Sequence, residues 1–494
     1  MSRLTGLLVL MVLTALTVQF SFPPAVTGQN SKVTFNKDVL PILQKNCQSC
    51  HRPGEVAPMS FLTYESTRPW AKAMREAVAA KKMPPWFADP LYGDFRNAPQ
   101  LTAENIKTLV TWADSGAPEG DPADKPAPIN WPEGWRVKPD VVISIPQPYN
   151  VPAKGSGEIK TFNVPNPFTQ DTWVDTIEIR PGDPSVVHHV MLQTPEDAPD
   201  PQFTWGGVSA AICLPPSGQE AFLESPAGVG LPTNNPQAPK VKPPKNFALL
   251  EAVYAPGNPL TDFRINNAGK LIKAGGNLRI EVHYTPNGKA TTDQTRIGFT
   301  LSKKTPQYRF ITLAPKSLAN TKVRIPAGAQ NWETRGVLEF GQNAQLVWLM
   351  PHMHLRGKDM TFNLVNPNGR TETVLNAKFN FNWQLGYELE SPIRIRKGTQ
   401  MTVVAHHDNS ANNPYNPDPT KEVAWGNLTS EEMVLPWFGV LVDKNVDPER
   451  ILAIRQSSCS NANSLLSTIP GVLSSPAGTP RLPIPIPTPK KSGK

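Results

Sequence analysis

The sequence predicts a multidomain chain, a small all-α domain followed by two tandem all-β sandwich domains. Three observations predict it. Beyond about residue 150, many short runs rich in β-branched and aromatic residues recur, at 173–179, 278–284, 295–301, 322–325, 345–350 and 401–406. Turn signals such as Asn287-Gly288 and Pro367-Asn368-Gly369 separate them, the pattern of sandwiches or barrels rather than of a parallel α/β fold. Second, proline supplies 55 of 494 residues, well above the roughly 5% of an average chain. Helix interiors and central strands exclude proline, so this content points to a β-rich protein with long, stiff loops. Third, the periodicity before residue 120 is helical. Val39, Leu40, Ile42 and Leu43 make an apolar face within 35–45, and Ile106, Leu109, Val110 and Trp112 make another within 102–115.

In chain order, residues 1–28 read as an export signal. Arg3 supplies the positive start, 7–18 the apolar run, and Val26-Thr27-Gly28 the small residues for cleavage. The run is short for a membrane span, so a periplasmic or secreted body with no stable span after cleavage is expected. Residues 32–120 are the α domain and 121–150 a proline-rich linker, with a strand-like run at 141–145. The two β domains follow at 151–303 and 304–463, the first interrupted by a proline-rich insertion at 195–246. Residues 464–494, rich in Pro, Ser, Thr and Lys, are expected to be disordered. The formal charge of +8 is modest for this length. No basic stripe with interleaved aromatics is present, which excludes a nucleic-acid partner.

Cys47-Gln48-Ser49-Cys50-His51 has the spacing of c-type haem attachment. Two thiols add to the haem vinyl groups, and the adjacent imidazole takes an axial position on iron. A second axial ligand should be methionine or histidine. Met83 is expected, because the prolines of Met83-Pro84-Pro85-Trp86 fix the loop that presents it. Met59, in Pro58-Met59-Ser60, is the alternative, and Met74 reads as packing within the helical stretch 68–82. The region resembles small single-haem cytochrome c domains, and His/Met ligation implies a raised potential and electron transfer. The other two cysteines, Cys213 and Cys459, could form one bridge in an oxidising compartment, and their spacing leaves open whether they meet.

Seven further histidines fall in four places: His188-His189, His283, His352 with His354, and His406-His407. Imidazole is the commonest nitrogen ligand of copper, zinc and iron, so this clustering points to two metal sites. His352 and His354 follow an apolar strand and, two apart, share one side of it. His188 and His189 are consecutive and face opposite ways on a regular strand, so a bulge or bend is needed if both are to bind one metal. His283, in Ile280-Glu281-Val282-His283-Tyr284, would complete a three-nitrogen set. His406 and His407 read as loop hydrogen-bonding groups or as neighbours of the second site.

The order His-His, Val-His-Tyr, His-x-His, Glu-Met over about residues 155–450 resembles the copper type II, ascorbate-dependent monooxygenases. This is the family of peptidylglycine α-hydroxylating and dopamine β-monooxygenase. The resemblance implies two jelly-roll-like β domains facing a solvent-filled cleft. It implies a relay copper on His188, His189 and His283, and a dioxygen-binding copper on His352, His354 and Met433. The chemistry of the residues agrees: three neutral imidazoles suit copper in both oxidation states, and a thioether favours Cu(I). The chain departs from the peptide-hydroxylating members at two positions that grip a substrate carboxylate, here Met350 and Trp437. It also has few cysteines for that group. The expected function is therefore that of an exported, haem-linked copper monooxygenase. It would hydroxylate a C–H bond of a small organic substrate with O2, with electrons from a periplasmic donor or an ascorbate-like reductant. The alternative is a periplasmic haem/copper electron-transfer protein without oxygenase activity.

Overall fold

The structure, a computed structural model, describes residues 32–132, 134–155, 157–194, 211–213, 220–221, 249–258, 260–313, 324–426 and 428–453. The expected export signal, nearly all of the insertion, Cys459 and the tail lie outside the described residues, and with them any Cys213–Cys459 pairing. No helix among the described residues is long and apolar enough to cross a membrane.

Strands form where apolar residues alternate or run together. Trp332–Phe340 alternates, burying Thr334, Gly336, Leu338 and Phe340. Val434–Asp443 is buried at every residue but the last, so it must be covered on both faces. It lies antiparallel to Ala344–Met353, with Met350 opposite Trp437 and His352 opposite Leu435. On one side these strands pack through Leu346, Leu349, Phe438 and Val440 against Met360, Phe362 and Val403 of a seven-stranded sheet. An earlier core gathers Val190, Leu192, Ile280, Val282 and Tyr284 against Val174, Ile177, Ile179, Ile297 and Phe299.

The expected division into an all-α cytochrome c-like domain and two separate sandwiches is corrected on both counts. One 13-stranded, near-closed sheet runs through both β halves. Its bridge is Tyr308–Leu313, parallel to Ala268–Ile272 on one side and antiparallel to Val434–Asp443 on the other. The reason lies in its side chains. Ile311 and Leu313 belong to the later core, while Phe310, on the opposite face, packs against the earlier one. A strand apolar on both faces is stable only between two cores.

Among the described residues no separate all-α domain precedes this sheet. Helix among the described residues is confined to short stretches, the longest being Ala103–Asp114 at 12 residues, which starts on a Thr102–Asn105 capping box. Phe35, Leu43, Met74, Leu109 and Trp112 form a small core. The intervening residues 86–97 leave it and run along the later β half. Ala88 bridges to Ala377 and Phe95 to Leu389. Trp86, Phe95 and Tyr387 meet ring to ring at 5.0–5.9 Å. Trp86 and Phe95 are partly buried by packing on that later core, to which Tyr387 belongs, and removing aromatic surface from water is favourable. On the other flank Glu55 sits among Arg52, Arg136 and Arg180, tying the segment to the strand Thr172–Arg180.

Candidate metal centre

Val187–Thr194 and Asn277–Tyr284 are antiparallel neighbours, with His283 opposite His189. Cross-strand partners share a face. The register then shifts: Tyr284 pairs with Val187, leaving His188 as an extra residue. Such a bulge re-aims a side chain, which lets two consecutive histidines address one point. The ligand nitrogens of His188, His189 and His283 all lie within 4.8 Å of one another. His283 Nδ1 and His189 Nε2 are 3.2 Å apart. That is near the edge, about 3.3 Å, of a tetrahedron with metal–nitrogen bonds of roughly 2.0–2.1 Å. This group could bind a metal ion.

Hydrogen bonds fix which nitrogen is free. The Phe381 carbonyl accepts from His188 Nε2 at 2.7 Å, so that nitrogen carries the proton. The lone pair is then on Nδ1, which is buried with no partner. An orphaned buried imidazole nitrogen fits a metal ligand and is costly otherwise. His283 Nε2 meets the Thr429 hydroxyl at 2.9 Å.

His352 and His354 leave the end of Ala344–Met353 and join the same cluster. The His352 ring lies 5.5 Å from that of His189 and 5.5 Å from that of His354. Both are buried, at 5% and 2% exposure. The solvent-filled cleft implied by the family resemblance is therefore closed at this point. What closes it is specific: second-half Phe381 and Thr429 serve first-half histidines. Met191 and Leu250 pack against Met350, Met433, Leu435 and Trp437. The Glu431 carbonyl lies 3.3 Å from His354 Nδ1, and the Gln384 side-chain oxygen bonds His352 Nδ1. Both carbonyls accept, so Nε2 is the free nitrogen on each ring.

Glu432 holds the far end together. Its carboxylate accepts from the backbone N–H of His354 at 2.5 Å, Arg356 at 2.8 Å and Met433 at 2.9 Å. Val434 pairs with Met353, so Met433 and His354 leave the paired strands at the same end. Burial pushes the Glu432 carboxyl up to about 7, against the lowering effect of those backbone donors.

All five imidazoles are held uncharged near neutral pH. Burial lowers His188 and His352 to about 4 and His354 to about 3. Burial, then mutual repulsion, puts His189 and His283 well below the ordinary value. Neutral imidazoles need lose no proton before they bind a metal. His406 stands elsewhere, on the seven-stranded sheet, between Asp359 at 2.6 Å and Glu333 at 3.5 Å.

A cavity of about 1230 Å³ lies beside this cluster, above the roughly 300–1,000 Å³ of ordinary small-molecule sites. Cys47, Cys50, His51, Met59, Met74 and Met83 line it, and so do His188 and Trp383. Cys47 and Cys50 are unpaired. Burial, then Cys50, pushes the Cys47 thiol up to about 12, and burial also raises Cys50. The His51 ring stacks on Phe61 at 4.3 Å.

Sequence reasoning singled out none of Phe381, Gln384, Thr429 or Glu432 for a role. Thr429 and Glu432 sit in the stretch that carries Met433, which was their only signal. Phe381 and Gln384 lie in a stretch that carries no motif.

No family model and no curated protein matches this chain. Solved structures give slight likenesses. The T13 particle of infectious bursal disease virus is 8% identical at a TM-score of 0.17, over 64% of this chain and 73% of that one. The VP2 subviral particle of the same virus is 10% identical at 0.18, over 67% and 78%. The VP54 of PBCV-1, fitted into a reconstruction of the virophage Sputnik, is 8% identical at 0.17, over 66% and 100%. Likenesses at this level carry no argument about fold or function.

Proposed function

We propose that this chain is an exported, haem-linked, copper-dependent monooxygenase that hydroxylates a C–H bond of a small organic substrate. The observation that carries the reading is the convergence of five uncharged imidazoles, with a buried thioether, Met433, at the end of the same strands. His188, His189 and His283 would hold one copper; His352, His354 and Met433 would hold the other. The donor set suits copper better than zinc, because a thioether is a soft ligand. When bound, the coppers supply one-electron changes and the activation of O2, and a haem supplies a one-electron store.

The cavity residues fit haem c. Cys47 and Cys50 offer two unpaired thiols on one wall that would hold the group covalently. His51 and Met83 would hold its iron. Met59 is the poorer choice, because its backbone contacts the His51 ring and so shares that side of the cavity. His188 belongs both to the cavity wall and to the three-histidine group.

The chain's own residues shape the rest of the site. Phe381 holds a proton on His188 Nε2, and Gln384 and Glu431 hold one on each Nδ1 of the second pair. Met350 faces Trp437 across paired strands, and both are buried with Met191, Leu250 and Leu435. This cluster carries no charged side chain, which supports a substrate without a carboxylate.

Metal content per haem tests the reading, in protein matured with its haem attached and beside a His352→Ala variant. Two coppers per haem are expected, falling to about one in the variant. Copper near zero, or zinc in its place, overturns the reading. Two coppers without O2-derived hydroxylation of any C–H substrate leaves the haem/copper electron-transfer protein.

A further inference from the structure

The loop between the strands Thr371–Lys378 and Tyr387–Ile395 touches three places at once. The Phe381 carbonyl accepts from His188, and the Phe381 ring stacks on the His188 ring at 4.4 Å. Asn382 and Trp383 line the cavity that holds Cys47, Cys50 and His51. The Gln384 side chain bonds His352.

The loop is built to be stiff. Asn380 closes a turn: its side chain accepts from Asn382 N, and its carbonyl from Trp383 N, each at 3.0 Å. Asn97 pins the far end, donating to the Gly386 carbonyl at 2.8 Å and accepting from Glu388 N at 3.0 Å. Gly386 lies so near Trp348 that a Cβ there would stand 2.5 Å from its indole nitrogen.

We propose that Gln384 is a positioning residue for the second histidine pair, and that this loop orients both candidate centres from one backbone. Gln384 is buried at 2% exposure. Its oxygen meets His352 Nδ1 while its Nε2 has no partner. The contact to His352 is therefore the hydrogen bond that seats the amide. A carbonyl oxygen accepts only from Nδ1–H, which leaves the His352 lone pair on Nε2. The reversed amide would donate to Nδ1 and put the proton on Nε2, removing the ligand. Groups that hold the far nitrogen of a ligating histidine set both its tautomer and its ring angle.

This rests on the copper reading above, so the test separates the two. Cu(I) affinity is measured in the haem-loaded chain by competition with a chromophoric chelator, for wild type, Gln384→Leu, Gln384→Glu and Gln384→Leu with His352→Ala. Nitrogen hyperfine structure in the Cu(II) EPR spectrum is the second readout. Gln384→Leu is expected to weaken one of the two coppers about 10- to 100-fold and to alter its nitrogen hyperfine pattern. Gln384→Glu, which keeps an acceptor, restores both. With His352 already removed, Gln384→Leu has no further effect. Two coppers held as tightly in Gln384→Leu as in wild type overturn the proposal and leave the copper reading standing. A wild type that binds no copper overturns both. Should Gln384→Leu fail to fold, Gln384→Asn against Gln384→Glu decides: equal affinities overturn the proposal, and a loss in Asn alone supports it.

Discussion

Replacing Glu432 with leucine is expected to lower the unfolding free energy by about 3–5 kcal/mol and to abolish copper binding at one centre only. The carboxylate is buried at 1% exposure and satisfies three backbone donors, His354 N, Arg356 N and Met433 N. Leucine orphans all three, and each unpaired buried donor costs about 1–3 kcal/mol. The loss is less than their sum, because burial already disfavours the Glu432 charge. Arg356 would also lose the Glu432 charge that favours its own, although its guanidinium keeps the Ser430 carbonyl at 2.6 Å and Asn416 at 3.1 Å. Glutamine should fall between. Its oxygen can still serve two of the donors, but its NH2 would face the third. Two of the freed donors belong to candidate ligands of the second copper, so His354 and Met433 lose their shared anchor together. Urea unfolding and copper analysis check this. A leucine variant within about 1 kcal/mol of wild type that keeps two coppers would show the clamp to be dispensable.

The histidine pairs were legible in the sequence because their information is local. Spacing places His352 and His354 on one side of a strand, and two consecutive histidines demand the bulge that the register shift at His188 supplies. The strands were legible for the same reason: the runs at 173–179, 278–284 and 401–406 fall within observed strands. What was hidden is what depends on distant partners. Tyr308–Leu313 is not among the strand-like runs named from the sequence, and only two cores on its two faces make it a bridge rather than a member of one sandwich. Trp86 and Phe95 sit in a proline-rich stretch between helices, and nothing local says that Tyr387 will cover them. The 381–384 loop carries no motif, yet Phe381 meets His188 across 193 positions. That the two histidine groups touch is a further long-range fact, since it depends on how tightly the β halves close.

Closure also sets the response of the metal-free protein to acid, where the second large effect is expected. The unfolded chain titrates its histidines near 6.5. In the folded chain burial holds His188 and His352 at about 4 and His354 at about 3, with His189 and His283 also depressed. As pH falls below about 6.5, the unfolded state takes up protons that the folded state refuses, so stability is present above that pH and lost toward 4. One group held at about 4 removes up to about 3 kcal/mol over that window. Five neighbours do not add simply, because protonating one ring opposes protonating the next. His406 works in the opposite sense. Burial lowers its pKa, but Asp359 and Glu333 raise it to about 9. Its contribution is therefore full below about 6.5 and is lost as pH rises through about 9. The melting temperature of chelator-treated protein should fall steeply between pH 6.5 and 4, and copper should shift that fall to lower pH by competing with protons for the same nitrogens. A flat profile in the chelated protein would mean that the five rings are solvated rather than packed together. Acid loss without protection by copper would mean that they pack as the structure has them and bind something else.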